Sequence, residues 1–299
     1  MTVIAFLGLG NMGLPMAKNL MAAGFDVRGF DVAAAARERA AAAGIRLGAE
    51  IADTVREAQF VITMLPAGPQ VREAYLSPGG ILDNAADGVL LVDCSTIDVE
   101  TAREVHAEAR SRGFAMLDAP VSGGVAGAEA ATLTFMVGGE EEALKRAEPV
   151  LARMGRAVIH AGPAGTGQAA KICNNLMLGI QMISVCEAFA LAERLGLAAD
   201  RLFAIASRSS GQCWSLTHYC PVPGPVPSAP SNRGYRPGFT ASMMLKDLRL
   251  AQEAAARVGA VTPLGAEACQ LYALYSALGH GGTDFSGIFE MIAGKANKL

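Results

Sequence analysis

One run of residues combines a lysine with amides in a way that could support proton transfer. Residues 165–175 read G-T-G-Q-A-A-K-I-C-N-N, within a stretch whose other residues favour a helix. Lys171 and Asn175 are four positions apart, so on a helix they project from the same face. A lysine enclosed in an apolar site has its pKa lowered by desolvation and becomes a proton acceptor near neutral pH. The spacing alone leaves two alternatives, a solvated polar face and a proton-transfer site.

A second run offers groups that could hold a carboxylate. Residues 118–124 read D-A-P-V-S-G-G and follow a predicted strand. Ser122 contributes a hydroxyl, and Gly123 and Gly124 contribute unhindered backbone N–H groups, which together suit an anion. An ordinary tight turn is the alternative interpretation.

The amino terminus carries a glycine pattern typical of dinucleotide binding. Residues 8–13 read G-L-G-N-M-G, directly after a predicted strand and at the start of a predicted helix. The glycines permit a tight turn and let a pyrophosphate approach the amino end of the helix. Asp31 ends the second predicted strand, where it would accept hydrogen bonds from ribose hydroxyls and repel a 2′-phosphate. Because no arginine follows Asp31 immediately, the sequence predicts NAD rather than NADP.

The elements around these runs predict an α/β half followed by a helical half. Alternating β-rich and Ala-rich stretches predict strands at 3–7, 27–30, 60–65, 89–93, 115–118, 133–137 and 157–160. Helices are predicted at 167–195, 199–210, 240–258 and 263–278, interrupted by a Pro-rich ordered loop or lid at 221–237. We expect a Rossmann-type, doubly wound, mostly parallel sheet in residues 1–164 and an all-α domain in residues 165–299. His106 lies in a further predicted helix, as a solvated residue.

Composition excludes several classes of function. The chain has 299 residues, 52% of them hydrophobic, 18% charged, and a formal net charge of −3, which describes a globular protein without a nucleic-acid footprint. Its six cysteines and four histidines show no metal-ligand spacing, so we expect no metal, reduced thiols and a cytoplasmic location. The first apolar run breaks at Gly8, and the run at 176–186 is short for a span, so we expect neither signal peptide nor membrane segment.

Four runs in this order resemble the signatures of the β-hydroxyacid dehydrogenase family. They are residues 8–20, residues 118–124, residues 165–175 and the pair Lys246 and Asp247, so the resemblance covers nearly the whole chain. Within the family, the sequence is most similar to the enzymes that act on 3-hydroxyisobutyrate. The resemblance implies NAD-dependent oxidation of a small β-hydroxy acid, with 3-hydroxyisobutyrate as the leading substrate, methylmalonate semialdehyde as the product and a place in valine degradation.

The resemblance also implies a role for each matching residue. Lys171 would be the catalytic acid/base, and Asn175 would orient the substrate beside it. The other implied substrate residues are Ser122, Gly123, Gly124, Trp214 and Asp247. The implied cofactor residues are Gly8, Gly10, Asn11, Met12, Gly13, Asp31, Leu65, Pro66, Thr96 and Lys246. A homodimer or homotetramer is implied as well.

One departure from the family pattern leaves the substrate side chain open. Relatives commonly carry S-S-G-G-N-W before a Y-N-P-W-P-G stretch. In this chain residues 209–214 read S-S-G-Q-C-W, and residues 219–224 read Y-C-P-V-P-G. Serine or tartronate semialdehyde as substrate is therefore an alternative within the enzyme class. A dinucleotide-binding scaffold without catalysis is the alternative from another class, although Lys171 and Asn175 are both present.

Overall fold

The computed structural model describes residues 1–295, which form two compact units divided after Lys171. The boundary predicted from the sequence falls earlier, between residues 164 and 165. The difference arises because the first turn of the helix that begins at Thr166 hydrogen-bonds to the first unit. The backbone N–H of Gln168, for example, donates to the Asp118 carboxylate at 2.9 Å.

Within the described residues, the strands of the first unit form one nine-stranded sheet. The strands are β1 (Val3–Leu7), β2 (Asp26–Phe30), β3 (Arg46–Leu47), β4 (Phe60–Thr63), β5 (Leu90–Asp93), β6 (Ala115–Asp118), β7 (Val121–Ser122), β8 (Leu133–Gly139) and β9 (Gly155–Gly162). Their order is β3-β2-β1-β4-β5-β6-β8-β7, and β9 pairs with β8. Strands β1 to β6 are parallel, whereas β8 runs antiparallel to β6 and β7. The predicted, mostly parallel sheet is confirmed.

Helices cover both faces of this sheet. They are α1 (Gly13–Ala22), α2 (Ala34–Ala42), α3 (Ile51–Val55), α4 (Gly68–Leu76), α5 (Ile81–Asn84), α6 (Val99–Ser111), α7 (Gly124–Glu129) and α8 (Glu141–Leu151). One core packs α1 and α8 on the sheet, and a separate core packs α4 and α6 on it. Strand β5, L-L-V-D, is buried along its whole length, as a strand covered on both faces should be. The predicted doubly wound class is confirmed.

Helix α6 buries a histidine that was predicted to be solvated. The Asp98 side chain caps α6 by accepting from the Thr101 N–H at 2.7 Å. His106 is only 9% exposed, because it lies on the same buried face of α6 as Val105 and Ala109. Its Nε2 is 3.3 Å from Oδ1 of Asp118. The prediction of a solvated His106 was wrong.

The regular structure in the described residues of the second unit is helical, apart from an isolated β-bridge between Thr240 and Asp284, and turns and irregular segments join the helices. It contains α9 (Thr166–Arg194) from Ile172 onward, α10 (Ala199–Ala206), α11 (Trp214–Thr217), α12 (Ala241–Val258), α13 (Pro263–Tyr275) and α14 (Ile288–Ile292). Short 3-10 turns lie at Pro230–Arg233 and Phe285–Gly287, and a π-helical turn, Ser276–His280, follows α13. An apolar stripe of α12 is buried, with Met244 and Leu248 fully so.

Hydrogen bonds tie the Pro-rich segment 221–237 to itself and to its neighbours. Ser231 Oγ donates to the Cys220 carbonyl, and the Tyr235 hydroxyl donates to the Pro221 carbonyl, both at 2.8 Å. The segment is followed by Gly238, whose N–H donates to the buried Asp284 carboxylate at 2.9 Å. Side chains therefore supply the hydrogen bonds that proline removes from the backbone.

Helix α9 is also long and apolar enough, by length and composition, to cross a membrane. It has 29 residues and a mean hydropathy of 1.5 over its most apolar window. Core helices of water-soluble proteins meet the same criterion. Met182, Cys186 and Phe189 of α9 pack in the core of the second unit. Length and hydropathy are therefore weak evidence for a span here.

Candidate functional site

The glycine turn after β1 has the geometry that a pyrophosphate site requires. Gly8 has a φ of +91°, and a Cβ at Gly8 would collide with the Met64 carbonyl. A Cβ at Gly13 would collide with the Gly8 carbonyl, whereas a Cβ at Gly10 would meet nothing within 4 Å. Gly8 and Gly13 are thus needed for the turn and its packing, and Gly10 leaves open space where a phosphate can approach the backbone. These residues fit NAD.

Asp31 is held at the end of β2 by two backbone hydrogen bonds. Its Oδ2 accepts from the Leu9 N–H at 2.7 Å, and its Oδ1 accepts from the Ala33 N–H at 2.8 Å. Each carboxylate oxygen has a second lone pair, so both can still accept from a ribose hydroxyl. The carboxylate is therefore fixed beside the glycine turn before any ligand binds.

An arginine beside Asp31 was missed by the sequence reasoning. Arg37 on α2 donates from Nη1 to the carbonyls of Asp31 and Val32, at 2.8 and 2.9 Å. It is six positions beyond Asp31, and a single helical turn brings it back to the strand end. The prediction of NAD considered only the residues immediately after Asp31 and therefore missed Arg37. The Asp31 carboxylate still repels a 2′-phosphate.

The loops after β4 and β5 adjoin, because these strands are parallel neighbours in the sheet. Leu65 and Pro66 lie in the first loop and Thr96 in the second. The Leu65 N–H donates to Ser95 Oγ at 2.8 Å, and Ser95 Oγ donates in turn to Oδ1 of Asp93. The structure therefore brings the predicted cofactor residues of the two loops to one edge of the sheet.

Asp93 is a buried carboxyl group that sequence reasoning did not single out. It also accepts from Thr63 Oγ1 at 2.7 Å. Burial raises the pKa of Asp93, and the nearby negative charge of Asp118 raises it further. The signal that could have identified it is a polar residue ending an otherwise apolar, fully buried strand.

Ser122 ends β7, and the two glycines after it adopt backbone conformations that favour glycine. Gly123 has a φ of +137° and Gly124 a φ of +62°. The bend leads into α7 at Gly124 and is anchored by pairing of Ser122 with Thr134 of β8. It can present consecutive N–H groups beside a hydroxyl, which is the arrangement predicted for a carboxylate.

The two polar residues predicted to share a face of α9 are both buried. Lys171 is 7% exposed and Asn175 is 2% exposed. The Asn175 amide is oriented within the second unit: its Oδ1 accepts from Asn174 Nδ2 at 2.9 Å, and its Nδ2 donates to Oδ2 of Asp247. Asp247 is 3% exposed, so the alternative of a solvated polar face does not describe these residues.

Asp247 joins Asn175 to Lys246 on α12. Lys246 Nζ lies 3.4 Å from Oδ1 of Asp247, and the Lys246 side chain is 36% exposed. One carboxylate oxygen therefore faces the amide and the other faces the ammonium. Asp247 thus contacts both the Asn175 amide and the Lys246 ammonium.

Trp214 presents part of its ring to solvent at the start of α11. It is 46% exposed and stacks on Tyr219 with ring centroids 5.0 Å apart. The Tyr219 hydroxyl donates to Asp284 at 2.9 Å, which fixes the ring that supports Trp214. Burial, reinforced by the Asp284 charge, raises the pKa of Tyr219 well above its usual value, so the hydroxyl remains a donor.

Two family models match the chain in sequence order. Residues 3–162 match the NAD binding domain of 6-phosphogluconate dehydrogenase. Residues 165–292 match the NAD-binding domain of NADP-dependent 3-hydroxyisobutyrate dehydrogenase. Together the models cover the sheet, the glycine turn and the helical unit.

Individual relatives are similar over almost their full length. A probable 3-hydroxyisobutyrate dehydrogenase of Mycobacterium tuberculosis is 52% identical over 99% of this chain and 100% of its own length. An NAD-dependent L-serine dehydrogenase of Pseudomonas aeruginosa is 50% identical over 96% of each chain. A solved structure of the M. tuberculosis 3-hydroxyisobutyrate dehydrogenase with L-serine superposes with a TM-score of 0.93, covering 98% of this chain and 99% of that one, at 52% identity.

Replacing Asp31 with serine should weaken the preference for NAD. The variant loses a charged acceptor for the ribose, so kcat/KM with NAD should fall about 10-fold to 100-fold. With the repelling charge gone and Arg37 nearby, the ratio of kcat/KM with NADP to that with NAD should rise. Steady-state assays with each cofactor measure this. Asp26→Ser, at the other end of β2, is the matched control, and an unchanged ratio in Asp31→Ser would contradict the assignment.

Proposed function

We propose that the chain oxidises 3-hydroxyisobutyrate to methylmalonate semialdehyde. The premise is that the chain belongs to the β-hydroxyacid dehydrogenase family and is an NAD-dependent enzyme of that family. This reaction would place it in valine degradation. The observation that carries the mechanism is the burial of Lys171 on the same face of α9 as the buried, oriented Asn175. A buried lysine is costly unless its environment or its function compensates.

Lys171 is the proton acceptor in this proposal. NAD, when bound, supplies the hydride acceptor. The hydroxyl proton of the substrate passes to Nζ of Lys171 as the carbon becomes an aldehyde, so the ammonium carries the proton that the alcohol loses. In the reverse direction the same ammonium protonates the oxygen.

The remaining predicted residues position the substrate. Asn175 has a second amide N–H besides the one that Asp247 holds, and this N–H donates to the substrate oxygen. Ser122 and the N–H groups of Gly123 and Gly124 bind the substrate carboxylate. Two anchors on one small molecule fix the distance between its reacting carbon and the proton acceptor.

L-serine is the second candidate substrate. A relative named for L-serine dehydrogenation is 50% identical to the chain, and a 52% identical relative was solved with L-serine. Serine is itself a β-hydroxy acid, so the same carboxylate anchor and proton acceptor serve it. The departures around Trp214, where Gln212 and Cys213 precede the ring, lie in the region where a preference could be set. Tartronate semialdehyde remains a further candidate in the same class.

A substrate panel tests the proposal directly. Oxidation of 3-hydroxyisobutyrate, L-serine and glycerate is followed by NADH absorbance, with reduction of tartronate semialdehyde as the reverse assay. We expect kcat/KM to be highest for 3-hydroxyisobutyrate, by about 10-fold or more. Its methyl group costs less free energy to desolvate than the charged amine of L-serine. A higher value for serine would favour the second candidate. NAD binding without turnover of any substrate would favour the scaffold interpretation.

Replacing Lys171 with methionine should greatly slow turnover without preventing cofactor binding. Methionine keeps the length and the helix propensity but accepts no proton, so kcat should fall roughly 100-fold to 10,000-fold. The dissociation constant for NAD, measured by fluorescence titration, should change less than about twofold, because the glycine turn and Asp31 are untouched. Lys145→Met on α8, where the lysine is exposed, is the control. Full activity of Lys171→Met would refute the mechanism.

The oligomeric state and the location stay predictions. A homodimer or homotetramer is proposed from the family, and a cytoplasmic location from the unpaired cysteines of the described chain. Sedimentation equilibrium of the purified protein distinguishes a monomer from either assembly.

A further inference from the structure

Asp118 is a buried carboxylate that none of the roles above uses. It ends β6 and has no exposed surface. Its Oδ1 accepts from the Gly165 N–H at 2.8 Å, and its Oδ2 accepts from the Gln168 N–H at 2.9 Å. Both N–H groups belong to the start of α9, where a helix has no carbonyl partners of its own for them. A strand residue therefore caps the helix that carries Lys171, and its charge suits the positive end of the helix dipole.

Gln168, in the first turn of α9, links this helix to the edge of the sheet where the predicted cofactor residues lie. Its side chain is fully buried, with Nε2 donating to the Ser95 carbonyl at 2.7 Å. Its Oε1 accepts from the Ile97 N–H at 3.1 Å. Ser95 in turn accepts from the Leu65 N–H, as described above. A continuous chain of hydrogen bonds thus runs from the first turn of α9 to the loops after β5 and β4.

The first turn of α9 packs closely on the strands beneath it. A Cβ at Gly138 of β8 would lie 2.5 Å from Oδ1 of Asp118 and 2.7 Å from the Gly167 nitrogen. A Cβ at Gly167 would lie 2.5 Å from the Asp118 carbonyl and would collide with the Met136 carbonyl. The helix start therefore sits directly on β6 and β8, and the two glycines are required by that contact.

We propose that Asp118 and Gln168 are positioning residues for the reaction, and that they hold Lys171 in register with the loops that contain Leu65 and Thr96. This rests on the proposed role of Lys171. Lys171 follows Gln168 by three positions, so any shift of the first turn moves the lysine with it. A misplacement of about 1 Å can cost about 100-fold in rate. The alternative is that the two side chains only stabilise the first unit.

Two nearly isosteric variants separate positioning from stability. Asp118→Asn replaces one acceptor oxygen with an amide NH2, which faces an N–H donor. Gln168→Met keeps the length but removes both side-chain hydrogen bonds. We expect each to lower kcat by about 10-fold to 100-fold while the dissociation constant for NAD changes less than about twofold. Val150→Ala in the core of α8 is the control, which should lower the melting temperature and leave kcat unchanged.

A coupling experiment tests whether Asp118 acts through Lys171. Lys171→Ala is supplied with ethylamine, which can replace the missing amine without being attached to α9. Adding Asp118→Asn to Lys171→Ala should then leave the amine-supported turnover unchanged, because the helix no longer positions the base. If ethylamine restores nothing, the residual turnover of the single and double variants is compared in the same way.

The outcomes distinguish the two proposals. Equal turnover of Lys171→Ala with and without Asp118→Asn supports positioning through Lys171. A further loss equal to the effect of Asp118→Asn alone shows a purely structural role and overturns the inference, while the proposed function stands. A kcat within about threefold of the unsubstituted enzyme for both Asp118→Asn and Gln168→Met also overturns it. Full activity of Lys171→Ala without amine refutes the proposed function instead.

Discussion

The start of α9 is buried against strands, and the Asp118 carboxylate is what makes that burial possible. The first N–H groups of a helix need acceptors, and a helix end buried without them is strongly unfavourable. Asp118 supplies two at once, to Gly165 and Gln168, from the carboxyl end of β6. The same contact places the helix that bears Lys171 at the edge of the sheet where dinucleotide ligands bind in this class of fold.

The neighbouring strand shows how the sheet edge accommodates two acidic residues. Asp93 of β5 pairs in register with Asp118 of β6. Burial and the Asp118 charge raise the pKa of Asp93, whereas the hydrogen bonds from Ser95 and Thr63 lower it. Thr63 and Ser95 donate to one Asp93 oxygen, so the group still orders the loops on either side. One strand end thus caps a helix while the next organises the loops that contain the predicted cofactor residues.

Much of the fold could be predicted from the sequence because its signals are local. Apolar runs on both faces predicted the parallel strands, and the glycine turn with Asp31 predicted NAD. Strands β3 and β7 were missed because two residues cannot establish a period. His106 was placed in solvent because many residues of α6 are charged, and the Asp118 carboxylate that His106 approaches belongs to a separate run of the sequence.

The sequence indicates candidate site residues only where residue types and spacing within one short run point to a role. Lys171 and Asn175 were identified by helical spacing and by resemblance, and their burial agrees with a role in chemistry. Asp118, Gln168 and Arg37 act across the chain, on partners that the sequence does not bring together. The glycines of residues 165–167 are explained only by the carbonyls and side chains that they approach.

Amide hydrogen exchange of the first turn of α9 tests the role of the Asp118 carboxylate most directly. In the unsubstituted protein, the Gly165 and Gln168 amides should exchange as slowly as the amides of the central strands. Asp118→Asn should accelerate exchange at these amides and leave the Thr101 amide, which Asp98 caps on α6, unchanged. Asp98→Ala, which removes the cap of α6, should do the reverse. Equally fast exchange of Gly165 and Gln168 with and without the Asp118 carboxylate would contradict this account.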